Sequence, residues 1–239
     1  MTVIVAARDE AARIAATIAG LRRAFPAATI WLADDGSRDR TAAIARAQGA
    51  RVVGGGRPVG KGGAMTAAAR EALRQRGAAS AARAEGVFVL CDGDLAGSAE
   101  GLAELARAVA DGEADLAVAA FARRVGGGFG IALGFARWAI RRRCGLRTRA
   151  PISGQRALRA GVLAAVLPFA PGYGMEIGMT IDAVRAGYRV RELQLDLSHR
   201  ASARTAAGFA HRARQLADFA RVYRARSRRR GRGLRPPAA

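Results

Sequence analysis

Gly86-Val87-Phe88-Val89-Leu90-Cys91-Asp92-Gly93-Asp94-Leu95 runs five apolar residues straight into two carboxylates set one residue apart. A short continuous apolar run of this kind reads as a strand buried on both faces, as the strands of a parallel sheet are. Asp92 and Asp94 then stand at its carboxyl end, the edge at which open α/β sheets bind ligands. Gly93 lets the backbone come close to whatever lies there. Hard carboxylate oxygens suit Mg²⁺ or Mn²⁺, ions usually held by one or two carboxylates together with substrate phosphates. Taken alone, the same residues read equally as a solvated Asp-Gly turn after a core strand, so the neighbours must decide.

The neighbours alternate. Residues 2–7 predict a strand, and 10–23 a helix with Ile14, Ile18 and Leu21 on one face. A second strand follows at 29–33, then a helix at 40–48 that Asp39 can cap, a short strand at 51–53 and a helix at 62–75. Beyond the Asp-Gly-Asp, a helix starting near Ser98 and ending at Ala110 leads to a strand at 116–121. Strands and helices at this spacing predict an α/β fold, a Rossmann-like, mostly parallel sheet flanked by helices. The second half is less regular. Gly126-Gly127-Gly128 opens a helix carrying Trp138 and the cluster Arg141–Arg143, and 151–156 reads as a loop or short edge strand. Helices are expected at 161–167 and 175–186, and an alternating strand at 188–197. A basic helix over about 206–226 places Phe209, Ala213, Leu216, Ala220 and Tyr223 on one stripe. The expected organisation is a catalytic domain at 1–205, then this basic helix and an unstructured arginine-rich tail at 206–239.

Among 239 residues, 51% are hydrophobic, enough for a sizeable core. No apolar run approaches the roughly 18 residues that span a bilayer: Arg137 interrupts 126–140, and two prolines interrupt 162–175. The first residues read as a strand rather than a signal peptide. Cys91 and Cys144 lack metal-ligand spacing, so reduced thiols and a cytoplasmic protein are expected. The net charge is +21, and from Leu197 onward twelve arginines face a single acid, Asp218. Such a basic chain can meet nucleic acid, anionic lipid or phosphorylated substrates. Lys61 is the only lysine, and it stands inside a glycine-rich loop.

Asp34-Asp35-Gly36-Ser37 follows the second strand at the same edge as Asp92. Its carboxylates could accept hydrogen bonds from a base or ribose, or serve an Asx turn and a helix cap. Asp9 and Glu10 follow the first strand, where acids also complement a helix dipole. Gly60-Lys61-Gly62-Gly63 opens a helix whose exposed N–H groups and single ammonium can reach a phosphate. With Gly55 it approaches the pattern Gly-x-x-x-x-Gly-Lys, but Gly62 stands where a P-loop needs the Ser or Thr that ligates magnesium. Gly174-Met175-Glu176 sets a glutamate at a helix start. His199-Arg200, trailed by Arg204, joins a metal-ligating imidazole to guanidiniums that can clamp phosphate.

In chain order these pieces resemble one family. Val3-Ile4-Val5-Ala6-Ala7-Arg8-Asp9-Glu10, Asp34-Asp35-Gly36-Ser37, Gly60-Lys61-Gly62, Asp92-Gly93-Asp94 and Gly174-Met175-Glu176 look like a family 2 glycosyltransferase of the GT-A fold, over about residues 1–205. The stretch from Leu167 to Gly178 is closely similar to the glucosyl-3-phosphoglycerate synthases, and His199-Arg200 matches the segment supplying their histidine metal ligand. There are departures. Where those synthases follow the triple glycine with arginine and threonine that hold phosphoglycerate, this chain has Phe129-Gly130-Ile131. Ser153-Gly154-Gln155-Arg156 looks instead like a segment of family members that glycosylate polyprenyl phosphates.

The resemblance implies transfer of a sugar, glucose by the nearest likeness, from a UDP- or GDP-linked donor to a phosphorylated small molecule or lipid phosphate, with Mg²⁺ or Mn²⁺. It implies that Asp9, Glu10, Asp34, Asp35, Lys61 and Asp92 bind the donor, and that Asp94 and His199 ligate the metal. Glu176 and Asp94 would act in catalysis, and Arg156, Arg200 and Arg204 would meet the acceptor phosphate. Peripheral contact with anionic membrane through the basic helix, and a homodimer, are compatible with it. Two other classes stand beside it: a nucleic-acid binder, for which no RNA- or DNA-reading motif accompanies the arginines, and a catalytically silent sugar-nucleotide binder.

Overall fold

Strands β1 (Thr2–Ala7), β2 (Thr29–Asp34), β3 (Arg51–Gly54), β4 (Val87–Asp92), β5 (Leu116–Phe121), β6 (Arg156–Arg159) and β7 (Val190–Leu195) form one sheet. The computed structural model describes residues 1–76, 86–121, 130–195 and 206–227. The strand order is β3-β2-β1-β4-β6-β5-β7. β1 to β4 pair in parallel, as do β5 and β7, while β6 runs antiparallel to both its neighbours. The helices are α1 (Ile14–Ala24), α2 (Thr41–Ala47), α3 (Lys61–Gln75), α4 (Leu102–Ala110), α5 (Ile131–Cys144), α6 (Ala160–Val166), α7 (Met175–Arg185) and α8 (Ala206–Ala225).

Period-two alternation along the central strands builds two apolar layers. Val3, Val5 and Val89 face α1, through Ile14, Ile18 and Leu21, and α4, through Leu102, Leu105 and Val109. Ile4, Trp31, Phe88, Leu90 and Leu158 face the other way, onto Met65, Ala68, Ala69 and Ala72 of α3 and onto Met175 and Met179 of α7. Each fully buried large apolar side chain contributes about 1.5–3 kcal/mol, as an upper estimate.

Two elements depart from the sequence expectation. Residues 11–13 form a turn and α1 begins at Ile14, while the N–H groups of Glu10 and Ala11 donate to Thr41 Oγ1 and Asp39 Oδ2. Residues 151–155 are a loop, one of the two expected forms, but the strand that Arg156 opens, β6, lies between β4 and β5 rather than at an edge. Because β6 is antiparallel, its first residue, Arg156, pairs with Leu90 near the carboxyl end of β4. The residues before it therefore arrive beside Asp92.

The C-terminal helix forms where expected and docks partly by another face than the expected stripe. Phe219 and Val222 are buried in a third apolar cluster with Ala136 and Ile140 of α5 and Ile177 and Ile181 of α7. Asp218 accepts the Tyr173 N–H at 3.1 Å and pairs with Arg221, and Arg226 pairs with Asp182. The seam is thus Asp218, Phe219, Val222 and Arg226, and of the expected stripe Tyr223 packs beside it on Phe135 and Trp138 of α5. Phe219 and Val222 are spent on this packing, and the side chains of Phe209 and Ala213 lie outside the described residues. Among the described residues no helix is long and apolar enough to cross a membrane.

Candidate active site

The carboxyl ends of β1, β2 and β4 converge on one edge, and their loops are stitched together there. Asp9, at φ 56°, accepts the Arg38 N–H at 2.7 Å and donates its own N–H to Ser37 Oγ at 3.1 Å. Asp34 accepts the Ser37 N–H at 3.0 Å and its hydroxyl at 2.5 Å. One oxygen of Asp35 receives the N–H groups of Val59 and Gly60 at 2.8 and 2.7 Å, and so fixes the glycine-rich loop. At Gly54, φ 102°, an added Cβ would lie 2.2 Å from the Asp34 carbonyl oxygen, so that loop and the end of β2 approach as only glycine permits.

That loop delivers Lys61 as the first residue of α3. Its Nζ lies 2.6 Å from Asp92 Oδ1 and 2.8 Å from Glu176 Oε1. The Lys61 side chain is 24% exposed and that of Glu176 6%. Burial by itself would lower the lysine pKa, but the two carboxylates outweigh it and hold the ammonium well above its ordinary value. Lys61 therefore joins β4 to the first turn of α7. The other oxygen of Asp92 accepts Gln155 Nε2 at 2.9 Å. Gly154 completes the enclosure: a Cβ there would stand 2.7 Å from both Lys61 Nζ and Asp92 Oδ2.

Gly62 has a different task from the one its place in the loop suggests. A Cβ on it would lie 1.9 Å from the Ala170 carbonyl oxygen, so the position is set by close contact between α3 and the 170–171 backbone. A P-loop serine does not fit.

Asp94 sits past the turn whose Gly93 donates its N–H to Ala6 O at 2.8 Å and accepts the Thr17 hydroxyl at 2.8 Å. The turn is pinned on both sides, which fixes where the second carboxylate emerges. The described residues include no group of three or more metal-ligating side chains; Asp94 supplies hard oxygen, and His199 lies outside the described residues, as do Arg200 and Arg204. A single carboxylate of this kind fits a magnesium-like ion, which takes much of its coordination from substrate and water.

Arg156 corrects an expectation. It is 1% exposed, and its guanidinium donates to Ser153 O at 2.8 Å and Thr180 Oγ1 at 3.0 Å. Burial lowers its pKa to about 10, against the pull of Glu176 and Glu192, so it stays charged at neutral pH. It has no face to offer an acceptor phosphate; it braces the 151–156 loop and α7 from behind. Cys91, beneath Asp92, is buried, and burial followed by the Asp92 charge pushes its thiol pKa up, leaving it inert. Gln155 and Gly154 are the site residues that residue chemistry did not single out. The only signal for them was the likeness of 153–156 to a family segment.

The sequence model described as glycosyl transferase family 2 matches residues 2–154. The fold is similar to solved structures of glucosyl-3-phosphoglycerate synthase from Mycobacterium tuberculosis. One, in complex with Mn²⁺, UDP and phosphoglyceric acid, is 25% identical with a TM-score of 0.70, over 94% of this chain and 77% of that one. Another is 26% identical with a TM-score of 0.66, over 92% and 79%. A third, with Mn²⁺, UDP-glucose and phosphoglyceric acid, is 24% identical with a TM-score of 0.69, over 94% and 78%. Among curated proteins none matches.

Proposed function

Because this chain belongs to glycosyl transferase family 2, we propose that it moves a sugar from a nucleotide-diphosphate donor to a phosphate-bearing acceptor, with Mg²⁺ or Mn²⁺. The observation that carries the proposal is the Lys61–Asp92–Glu176 cluster beside Asp94 at the carboxyl edge of the sheet. The loops that Asp34 and Asp35 fix form the walls for base and ribose, and Asp9 holds the adjoining turn. Asp92, oriented by Gln155 and Lys61, faces the ribose side, and Asp94 with His199 would hold the ion. A bound divalent ion would supply Lewis-acid neutralisation of charge developing on the leaving diphosphate.

Lys61 adds a fixed positive charge close to the same place, already oriented before substrate arrives, which is how preorganised electrostatics assists charge separation. Glu176 spends Oε1 on that ammonium, which gives it a part in orienting Lys61. With Arg156 turned inward, the phosphate-recognising role falls to Arg200 and Arg204. A similar synthase is solved with Mn²⁺, UDP and phosphoglyceric acid, and a phosphorylated three-carbon acid is the first acceptor to try.

The test is thermal unfolding with UDP, GDP and their glucose and mannose conjugates, with Mn²⁺ or a chelator. A ligand at one hundred times its Kd adds about 2.7 kcal/mol to native stability, and the expected gain requires metal. Asp94→Ala should abolish it. Equal metal-dependent stabilisation of Asp94→Ala would overturn the metal assignment, and no stabilisation by any nucleotide would overturn the function.

A further inference from the structure

α5 and the loop after it line an open depression of about 540 Å³ formed by Arg137, Trp138, Arg141, Arg142, Arg147 and Thr148, none of which is in the Lys61 cluster. We propose that this depression is a second binding site, for a ligand presenting phosphate with two or more negative charges beside an apolar or ring surface.

Four guanidiniums converge there. Arg141, Arg142 and Arg147 are exposed and take part in no side-chain hydrogen bond or ion pair with the described residues. Arg137 donates one nitrogen to Arg149 O at 2.7 Å, while its Nε is buried without a partner. The nearby acids are already committed. Glu192 accepts from Thr148 and from the N–H groups of Arg149 and Ala150, and Asp182 is held by Arg226. Some exposed arginines elsewhere pair, Arg23 with Glu100, Arg74 with Glu71 and Arg191 with Glu113, and those that do not are not gathered around one depression with an exposed indole. A concave surface that gathers four cations and no carboxylate repels itself when empty and is relieved by a polyanion.

The wall is built as well as charged. Trp138 is 48% exposed although large and apolar. Its ring lies 4.7 Å from that of Tyr223 and 5.4 Å from that of Phe135, and Arg143 stacks on Tyr223 at 3.6 Å. Packing of one indole edge in this ladder fixes the ring and leaves the remainder turned outward, at low entropy cost to a ligand that lies against it. Guanidiniums recognise phosphate through paired, charge-assisted hydrogen bonds. The volume is that of an ordinary small-molecule site, typically about 300–1,000 Å³.

The chain has two tryptophans, so Trp31→Phe leaves Trp138 as the sole indole reporter. Inorganic diphosphate is titrated into this protein with a chelator present, which disables the metal-dependent donor site. Saturable change in Trp138 emission is expected. R141Q/R142Q should weaken it by at least about tenfold, the size of one charge-assisted contact, while Lys61→Ala binds like the parent. Vesicles of phosphatidylcholine with and without phosphatidic acid identify the source of the phosphate. Competition by the acidic vesicles assigns the site to a lipid headgroup, and binding of diphosphate without competition assigns it to a free phosphorylated molecule. No emission change with either probe, or an unchanged affinity in R141Q/R142Q, overturns the proposal.

Discussion

Replacing Lys61 by methionine removes the one cation between two carboxylates while keeping an unbranched side chain only one atom shorter. Removing one partner of a buried ion pair costs about 3–5 kcal/mol, because the remaining charge is stranded. Here Lys61 is 24% and Asp92 33% exposed, so water takes up part of that cost, and about 2–3 kcal/mol is expected. For a chain of this size each kcal/mol moves the melting temperature by about 2–4 °C, giving a fall of about 4–12 °C. The pH dependence has a definite sign. In the parent, the raised folded pKa of Lys61 means its contribution is complete below the ordinary value of 10.5 and lost only as the pH rises beyond it. In Lys61→Met the deficit arises from carboxylate repulsion and should shrink as acid protonates either partner. Lys61→Met/Glu176→Gln should recover about half or more of the loss at neutral pH. Calorimetry or circular dichroism across pH reads all three proteins, and a Lys61→Met protein that melts within a degree of the parent at neutral pH would refute the reasoning.

Three further outcomes are expected. Gly62→Ser, which would complete a P-loop pattern, should destabilise by about 1–3 kcal/mol through overpacking against the Ala170 carbonyl; stabilisation by Mg-ATP in that variant would contradict it. Gly154→Ala forces a methyl against Lys61 and Asp92, so donor turnover should fall at least about tenfold, or 1.4 kcal/mol, and unchanged kcat/KM would show that the enclosure is dispensable. Phe219→Ala should cost about 3–5 kcal/mol in urea unfolding because that ring is fully buried; a loss under 1 kcal/mol would mean that α8 is not docked.

The parallel core and its ligand-binding edge were legible in the chain, because strand burial and helix periodicity are written locally: the run 87–91, the face Ile14–Ile18–Leu21, the acids after each strand. The family likeness at 1–205 rests on those same short motifs. Three things were not local. β6 is four residues long and begins with a charged one, so no period marks it, and only its pairing between β4 and β5 makes it central and carries Gly154 and Gln155 to Asp92. Arg156 reads as a surface cation by type, yet Ser153 and Thr180 satisfy it in the interior. α8 shows a helical stripe that suits a membrane as well as a protein face. Its residues Phe219 and Val222 are covered by Ala136, Ile140, Ile177 and Ile181, distant in sequence, whose own apolar surface needed cover. A sequence states what each segment can bury and which charges it offers; only packing determines which neighbour covers the apolar face and which carboxylate meets the one lysine.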